Sequence, residues 1–183
     1  MKLNLGCGWR DFGPDWTHID GGEYPHLHSK DIVSLPFKDN SADIIYSSHV
    51  IEYFNRTEVL DVLNEWHRVL KPNGILRLAV PDFQAMADLY IKGEYPLDKF
   101  LGPLYGMMPM AGQTIYHRTT YDYKSLKNIL MFCGFEDVKK YDWRDTDHSE
   151  YDDHSQAYLP HLDKENGTLI SLNIEAVKRR KHE

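Results

Sequence analysis

The hydrophobic positions of the first half of the chain form short runs with strand-like spacing. Residues 2–5 alternate apolar and polar side chains and stop at a glycine turn, and residues 17–20 form a similar run. Residues 43–48 and 75–80 are almost continuously apolar, which is typical of strands buried on both faces of a parallel sheet. Residues 31–33 add a short apolar run. The pattern therefore predicts five strands before residue 82.

Helical spacing separates the later runs. Apolar side chains recur every three to four residues over 57–70, and shorter helices are predicted over 83–91 and 123–133. Thr57 stands where it can cap the first of these helices, and the Lys-Pro-Asn-Gly sequence of residues 71–74 can end it. Strands that alternate with helices predict an α/β fold, a doubly wound and mostly parallel sheet of the seven-strand type.

The two ends of this predicted sheet depart from the simple alternation. Residues 9–16 alone separate the first glycine turn from the second strand, whereas a parallel crossover usually takes a dozen or more residues with a helix. We therefore expect the first crossover helix to be shortened or replaced by irregular chain. At the other end, residues 135–141 and 169–178 are predicted to close the sheet as an antiparallel C-terminal hairpin.

Two segments carry little regular pattern. Residues 94–120 are rich in Gly, Pro, Met and Tyr, a composition that suits a lid closing over a substrate. A homodimer contact or an ordinary packed insertion explains this segment almost as well. Residues 142–167 are polar and contain several Asp and His residues. No metal is predicted there, because the spacing matches no defined site and acidic loops are usually solvated.

Composition and charge narrow the class of protein. The 183 residues are 42% hydrophobic and 27% charged, which fits one globular domain over residues 1–183. The sequence shows neither a membrane-spanning run nor a signal-peptide pattern, and it has two cysteines, so a cytoplasmic protein is expected. The net charge of −7 makes a nucleic-acid partner unlikely on electrostatic grounds. The basic residues at 178–181 are interpreted as a solvated tail.

The predicted strand ends place a distinctive set of residues at one edge of the sheet, where open α/β folds bind their ligands. Gly6 and Gly8 let the backbone approach a ligand closely. Asp20 ends the second strand and is placed to accept both hydroxyls of a ribose, while Asp31 can accept from an adenine amino group. Asp11 stands where a dinucleotide motif has its third glycine and would repel a pyrophosphate. An adenosine ligand without phosphates is therefore favoured.

Four segments in order resemble the class I S-adenosylmethionine-dependent methyltransferases. They are Leu-Asn-Leu-Gly-Cys-Gly at 3–8, Ile-Asp at 19–20, the segment 35–49 that begins Leu-Pro-Phe, and 65–76, which contains Leu-Lys-Pro-Asn-Gly. The likeness is closest to a small branch of predicted methyltransferases whose first crossover is trimmed. It covers residues 2–82 well and 135–178 loosely. The resemblance implies a Rossmann-like fold, S-adenosylmethionine as the cofactor and methyl transfer as the activity.

The resemblance also implies a set of cofactor-binding positions. The turn after the first strand would wrap the methionine part, the second strand end would hold the ribose, the third would border the adenine, and the fourth would lie beneath the sulfonium. Arg10 replaces the family's commoner third glycine and, with Trp9, is the candidate to hold the cofactor's carboxylate. The complete set is Leu5, Gly6, Cys7, Gly8, Trp9, Arg10, Asp20, Asp31, Ile32, Ser47 and Ser48.

Three residues are candidates for a catalytic base on the acceptor side: His49, Asp82 and His117. A structural role for either histidine remains the alternative. Glu52 either orients His49 or is a solvated helix residue, and the second interpretation is favoured. We expect methyl transfer to oxygen or nitrogen of a small molecule or sugar, the sugar being suggested by the acidic charge and a site that is open because no cap precedes the first strand. A nonenzymatic protein that binds S-adenosylmethionine or S-adenosylhomocysteine, and an NAD-type oxidoreductase, are the alternatives.

Overall fold

Seven strands form the central sheet of the computed structural model, which describes residues 1–110 and 112–179. The first five run parallel, and only the sixth is antiparallel to both of its neighbours. The predicted doubly wound, mostly parallel sheet with an antiparallel C-terminal hairpin is therefore confirmed. In spatial order the strands are β3 (Leu27–Ser29), β2 (Trp16–Ile19), β1 (Lys2–Leu5), β4 (Ala42–Ser48), β5 (Leu70–Pro81), β11 (Ser171–Lys178) and β8 (Phe135–Lys140).

Four α-helices, three short 3₁₀ helices and two small strand pairs complete the described regular structure. The three predicted helices are confirmed, and a fourth lies in the segment 94–120, where the pattern predicted none. The helices are α1 (Glu58–Val69), α2 (Phe83–Ile91), α3 (Asp98–Tyr105) and α4 (Tyr123–Phe132). The pairs are β6 (Gly106–Met110) with β7 (Gln113–Tyr116), and β9 (Tyr158–Leu159) with β10 (Thr168–Leu169).

The two faces of the sheet are covered in different ways. On one face the buried side of α1, including Leu63 and Trp66, packs with Leu126 and Leu130 of α4 into the main hydrophobic core. Successive residues of a strand point to opposite faces, and Ile45 accordingly joins this core. The neighbours of Ile45 in β4 belong to a second, aromatic cluster. Helices thus cover one face, while irregular chain covers part of the other.

The first crossover contains no helix over residues 6–15, as predicted. Phe12 and Trp16 take the place of a helix: their rings meet edge to face, with centroids 5.5 Å apart, and pack against Ile44 and Tyr46. The ring of His148 from the long loop stacks on Phe12 with centroids 5.4 Å apart. Aromatic side chains cover apolar strand surface effectively, so ten residues can replace a crossover helix here.

The third strand lies at Leu27–Ser29, and the prediction of a strand at 31–33 is wrong. Its backbone pairs with β2, and the Asp20 N–H donates to the Ser29 carbonyl. Asp31 then turns the chain away from the sheet, because its Oδ1 accepts hydrogen bonds from the N–H groups of Val33 and Ser34. An aspartate that caps its own following backbone favours a turn over a strand, which the apolar pattern alone did not indicate.

The segment 142–167 is more ordered than a solvated loop. It contains two short 3₁₀ helices, Trp143–Asp145 and His154–Gln156, and strand β9. Asp153 is buried and accepts a hydrogen bond from the Tyr46 hydroxyl at 2.5 Å, and Gln156 is also buried. The segment therefore packs across the sheet. The expectation that its acidic side chains are simply solvated is wrong for Asp153.

The basic cluster at 178–181 falls partly outside the described residues, because these end at 179. Lys178 itself belongs to β11, and its amine donates to the carbonyl oxygens of His67 and Leu70 at 2.7 Å. This first residue of the cluster therefore ties β11 to the end of α1 instead of lying in a solvated tail. Among the described residues no helix has both the length and the apolar character needed to cross a membrane.

Helix α1 is capped by Asn55, not by Thr57 as predicted. The Thr57 side chain caps no helix N–H, whereas Asn55 Oδ1 accepts from the N–H groups of Thr57 and Glu58, each at 2.9 Å. We expect Asn55→Ala to lower the free energy of unfolding by about 1 kcal/mol, the usual cost of a lost cap. Chemical denaturation of this variant beside Thr57→Ala tests the assignment. An equal or larger loss for Thr57→Ala would contradict it.

Candidate cofactor and acceptor site

The strand order reverses between β1 and β4, which lie side by side at the centre of the sheet. The chain leaves β1 through residues 6–8 and leaves β4 through Ser48 and His49, so both segments stand at the same carboxyl edge. In open α/β sheets this switch point is where ligands bind. The topology therefore brings the predicted glycine turn and the predicted catalytic histidine together.

Both glycines of the turn adopt left-handed backbone, with φ of +73° at Gly6 and +58° at Gly8. A Cβ on Gly6 would lie 2.2 Å from Val50 Cγ2, so this position must be glycine for the turn to pack against the segment that follows β4. A Cβ on Gly8 would meet nothing within 4 Å. Gly6 therefore holds the turn in place, and Gly8 leaves its backbone open to a ligand.

Asp20 links this turn to the second strand. It is only 5% exposed, and its two oxygens accept hydrogen bonds from the N–H groups of Gly8 at 2.8 Å and Gly22 at 2.7 Å. A carboxylate offers about four lone-pair directions, so each oxygen keeps capacity for a further donor such as a ribose hydroxyl. The carboxylate thus stands where the sequence predicts it, already oriented by backbone.

Cys7 lies inside the turn and contributes packing instead of reactivity. Its side chain is buried, and Sγ lies 3.6 Å from His26 Nε2. Burial and the neighbouring Asp20 carboxylate raise the pKa of the Cys7 thiol to about 12. The group therefore remains a neutral thiol at physiological pH, which suits a residue that lines a backbone cradle.

A small cavity lies directly above the turn, lined among others by Asn4, Gly6, Arg10, Ser48 and His154. Two of the lining residues present buried polar atoms, Asn4 Nδ2 and Ser48 Oγ, that have no hydrogen-bond partner within the described part of the chain. Buried polar groups without partners are costly and often await a ligand. The predicted site residue Ser48 therefore faces the cavity with an unsatisfied hydroxyl.

Trp9 and Arg10 lie at the outer rim of the turn. The Trp9 ring is 69% exposed, and the Arg10 guanidinium lies 4.9 Å from its centroid. Arg10 Nε donates to the Asp152 carbonyl at 2.7 Å, which anchors the side chain to the long loop. The Nη groups of the Arg10 guanidinium are the candidates to bind the cofactor's carboxylate, and this role stays a prediction.

The remaining predicted cofactor contacts are divided between the rim and the sheet. Asp31 is exposed, and Ile32 packs partly against the core while its carbonyl accepts from Trp66 Nε1 at 2.8 Å. Ser47 is buried and donates its hydroxyl to the Leu5 carbonyl at 2.8 Å. Ser47 and Leu5 therefore join β4 to β1 beneath the turn, and none of these contacts tests cofactor binding directly.

On the other side of the switch point, Glu52 forms the centre of a buried cluster that sequence reasoning did not assemble. Its side chain is fully buried, so the prediction of a solvated helix residue is wrong. Glu52 Oε1 lies 3.6 Å from His49 Nδ1 and 3.9 Å from His117 Nε2. Neither carboxyl oxygen has a hydrogen-bond partner among the described residues. The fold therefore brings two predicted catalytic histidines, from distant segments, to one carboxyl group.

The backbone around this cluster explains why it forms. His49 has left-handed backbone with φ of +55°, which turns the chain sharply after β4 and directs the next residues into a 3₁₀ helix at Ile51–Tyr53. The N–H groups of Arg118 and Thr119 donate to the Glu52 carbonyl and bring the chain after β7 beside it. A glutamate three residues after a strand-end histidine was the only sequence signal, and it did not reveal burial.

Burial sets the charge state of the cluster. It raises the pKa of Glu52 from its ordinary value to about 8. It lowers the pKa of His49 and of His117, and the neighbouring His154 lowers both further. At neutral pH the carboxyl group and both imidazoles are therefore mainly uncharged, an arrangement that can gain or lose a proton near physiological pH.

Asp82, the third predicted base, begins helix α2. It is buried, and its Oδ1 accepts from the N–H groups of Gln84 at 3.1 Å and Ala85 at 3.3 Å. Its backbone forms an isolated bridge with Tyr121, whose own hydroxyl is buried without a described partner. The contacts of Asp82 are those of a helix cap, and its catalytic role remains a prediction.

The hairpin β6–β7 reaches the opposite rim of the site. A Cβ placed on Gly21, the residue after Asp20, would lie 3.1 Å from Met110 Sδ. The end of β6 therefore packs against the segment that follows β2. Tyr105, Met107 and Tyr116 on the same insertion are 51% to 68% exposed. The insertion therefore extends over the edge where the cofactor contacts are predicted. Residue 111 lies outside the described residues.

Several Asp and His side chains of the long loop are engaged with protein partners. Asp152 pairs with Lys164 at 3.0 Å, and His148 Nε2 lies 3.1 Å from Arg77 Nη1. Over residues 1–110 and 112–179, no three Asp, Glu, His or Cys side chains are grouped so that they could hold a metal ion.

Comparison with known proteins adds a family match to this geometry. Residues 15–78 match a family described as a methyltransferase domain. A demethylmenaquinone methyltransferase of Staphylococcus epidermidis is 29% identical over 120 residues, which cover 59% of this chain and 46% of that protein. A ubiquinone/menaquinone biosynthesis C-methyltransferase of Ruegeria sp. is 33% identical over 121 residues, 60% of this chain and 45% of that protein. The chain spans less than half the length of these curated relatives.

Solved structures share the fold over nearly the whole chain. A SAM-dependent methyltransferase from Methanosarcina mazei has a TM-score of 0.60 at 19% identity, with 97% of this chain and 92% of that chain covered. A Burkholderia thailandensis 1,6-didemethyltoxoflavin-N1-methyltransferase with bound S-adenosylhomocysteine has a TM-score of 0.56 at 13% identity, covering 98% of this chain and 71% of that chain. At these identities the likeness concerns the fold alone.

Proposed function

We propose that the chain is a class I, Rossmann-like S-adenosylmethionine-dependent methyltransferase that methylates an oxygen or nitrogen atom of a small molecule or sugar. The match of residues 15–78 to a methyltransferase domain and the shared fold support this proposal. The observation that carries this proposal is the meeting of two groups at one switch point. The Gly8–Asp20 cradle lies on one side, and the His49–Glu52–His117 cluster lies on the other.

The first group fits an adenosine cofactor with a sulfonium. Asp20 has spare acceptor capacity for the ribose hydroxyls, and the open space at Gly8 admits a ligand against the backbone. The unsatisfied Ser48 hydroxyl and Asn4 amide face the adjoining cavity, and Arg10 stands at its rim for a carboxylate. When bound, S-adenosylmethionine supplies an activated methyl group. These residues hold and orient the cofactor so that the methyl carbon faces the acceptor.

The second group suits an acceptor that must lose a proton. An O–H or N–H nucleophile forms its bond to the methyl carbon as the bond from carbon to sulfur breaks, and its proton passes to a base. His49 stands directly after β4 at the strand ends, and its imidazole is neutral near physiological pH. Alignment of the two reactants alone can contribute about 7–11 kcal/mol, so this chemistry needs little more from the protein than position and a proton acceptor.

The insertion at 94–120 and the loop at 142–167 are placed to select the acceptor. Met110 reaches the Asp20 side of the edge, and His154 lies beside His49 with ring centroids 5.1 Å apart. We assign the insertion a lid-like role in which its hairpin covers the bound acceptor. Exposed aromatic side chains on the insertion, such as Tyr105 and Tyr116, suit contacts to a planar ring or to a sugar face.

A thermal-shift panel followed by mass spectrometry tests the proposal. We expect S-adenosylhomocysteine, but not NAD, to raise the melting temperature, and an acceptor with O–H or N–H groups to gain one methyl group. The panel contains sugars, phenols, amines and a quinol. Methyl gain on a ring carbon of the quinol would overturn the assignment to oxygen or nitrogen. Binding without turnover across the panel would favour a nonenzymatic binding protein, and stabilisation by NAD would favour an oxidoreductase.

The Gly8→Ala variant tests the cradle, with Gly93→Ala as its matched control. Both glycines have positive φ, +58° and +72°, and a Cβ on either would meet nothing within 4 Å. Each substitution should therefore cost a similar amount of stability, about 1–2 kcal/mol. Only Gly8→Ala should weaken S-adenosylhomocysteine binding, by about tenfold or 1.4 kcal/mol in calorimetry, because its methyl group occupies the ligand's space. Equal affinities for the two variants would contradict a ligand at Gly8.

A further inference from the structure

The hydrogen bonds of His49 determine which of its nitrogens carries the hydrogen. The Asn173 amide nitrogen donates to the Ser155 carbonyl at 2.9 Å, so Asn173 Oδ1 is the acceptor for the Ser171 hydroxyl, also at 2.9 Å. That hydroxyl has only one hydrogen, and it is used. His49 Nε2, 3.3 Å from Ser171 Oγ, must therefore be the donor in that contact. In the neutral ring, His49 Nδ1 then bears the lone pair.

The same reasoning applies to His117. Its Nδ1 lies 3.0 Å from the Pro103 carbonyl, which can only accept, so Nδ1 carries the hydrogen and Nε2 bears the lone pair. Both lone-pair nitrogens face Glu52 Oε1, at 3.6 Å from His49 and 3.9 Å from His117. A carboxylate would be repelled by two lone pairs in a buried site, whereas a neutral carboxylic acid avoids this repulsion. The contacts therefore place a proton on Glu52.

We propose that Glu52 is a positioning residue whose own proton decides which nitrogen of His49 is available as a base. With Glu52 protonated, His49 is held as the Nε2–H form and its lone pair points into the protein. When Glu52 ionises, its proton moves to His49 Nδ1, which then donates to the carboxylate. The hydrogen of Nε2 is released to solvent. One proton is lost in total, and Nε2 then bears a lone pair to which the Ser171 hydroxyl can turn its hydrogen from Asn173.

The catalytic meaning of this exchange rests on the proposed function. An acceptor that takes the place of the Ser171 hydroxyl at His49 Nε2 can give up its proton only to the second form, and the resulting imidazolium is then stabilised by the Glu52 carboxylate at Nδ1. In the first form, His49 has no lone pair on the acceptor side. Glu52 would thus make methyl transfer depend on its ionisation without touching the acceptor itself.

The charged and titratable groups around the cluster are compatible with this role. Tyr53 and Tyr121 face Glu52, and burial together with that carboxyl group raises the pKa of both phenols, so neither competes for the proton. Burial lowers the pKa of His49, and the facing groups His154, His117 and Arg10 lower it further. The pKa of Glu52 is raised to about 8, so its ionisation falls within the working range of pH for an enzyme.

Imidazole nitrogen NMR of histidine-labelled protein tests the proposal without any need for turnover. Below the pKa of Glu52 we expect the Nε2–H form of His49 and the Nδ1–H form of His117. Above it, His49 should change to the Nδ1–H form. Wild-type protein alone gives this result, so a variant that fails to fold would not block the test. An Nδ1–H form of His49 at low pH, or no change of form as Glu52 ionises, would overturn the proposal.

The Glu52→Gln variant separates the proton from the shape of the side chain, since its amide can donate to both nitrogens but cannot ionise. His49 should then stay mainly in the Nε2–H form at every pH. The kcat above the pKa of Glu52 should fall by about tenfold, as for a base whose competent form is about a tenth populated, while KM is little changed. Glu58→Gln, at a neighbouring carboxylate that is 44% exposed and paired with Arg118, is the matched control.

Stability against pH gives a second readout on the same pair of variants. In the unfolded chain Glu52 ionises near its ordinary value of 4.5, whereas in the folded protein it keeps its proton to about pH 8. The folded state binds the extra proton in this window, so its stability should fall as pH rises from 4.5 to 8. Glu52→Gln should remove this slope and Glu58→Gln should keep it. A retained slope in Glu52→Gln would show that Glu52 ionises normally and would overturn the proposal. If the cluster titrates as we propose but no acceptor is methylated, only the proposed function is rejected.

Discussion

The His49→Asn variant is expected to lower kcat by about 10²–10⁴-fold, the usual contribution of a general base, with S-adenosylhomocysteine affinity almost unchanged. Asparagine is the informative replacement because His49 has φ of +55°, and asparagine tolerates left-handed backbone better than alanine does. The turn after β4 should therefore keep its shape while the imidazole is lost. Single-turnover kinetics and calorimetry on the same preparation separate the two effects.

A matched control for this variant is His67→Asn, at the far end of helix α1. His67 packs edge to face on Phe135 with ring centroids 5.1 Å apart, away from the carboxyl edge of the sheet. Its replacement should alter stability slightly and leave turnover near the wild-type value. If His49→Asn instead lowers affinity and turnover equally, His49 belongs to the cofactor site and the base must be sought at His117 or Asp82.

The part of the fold that follows from periodicity was predictable from sequence. Strands β1, β4 and β5 and helix α1 are each encoded by a local pattern of apolar residues, and the order of such elements determines the parallel sheet. The missing crossover helix was also predictable, because residues 9–16 are simply too few for one. Asp20 follows β2 directly and Gly8 lies in the turn after β1, so their meeting at the carboxyl edge follows from topology.

What sequence could not predict depends on contacts between distant segments. Glu52 has an ionisable side chain, and nothing local indicates that His117, 65 positions later, covers it. Asp153 is buried and accepts a hydrogen bond from Tyr46, which lies 107 positions earlier in the chain. The third strand was misplaced because the apolar residues 32 and 33 lie in a turn that Asp31 holds with its own side chain, where Ile32 packs partly against the core and Val33 is exposed. Tertiary burial thus overrode local polarity at the acceptor side of the site.

Asp20→Ala should weaken S-adenosylmethionine and S-adenosylhomocysteine binding by about 10²-fold, or about 3 kcal/mol, since two hydrogen bonds to a charged group are lost. The carboxylate also holds the N–H groups of Gly8 and Gly22, so the cradle loosens when it is removed. Asp20→Asn is not a mild alternative, because its amide N–H would face one of these two donors. We expect it to bind the cofactor almost as weakly as Asp20→Ala.

Asp15→Ala, an exposed aspartate five residues earlier, is the control for this series and should bind like the wild type. Calorimetry with S-adenosylhomocysteine and with adenosine separates ribose recognition from recognition of the amino-acid part: the Asp20 variants should lose affinity for both ligands by a similar factor. The Arg10→Ala variant, by contrast, should lose affinity for S-adenosylhomocysteine only, because adenosine has no carboxylate. Unchanged binding by Asp20→Ala would show that the ribose does not bind at the end of the second strand. It would also contradict the proposed position of the cofactor at the switch point.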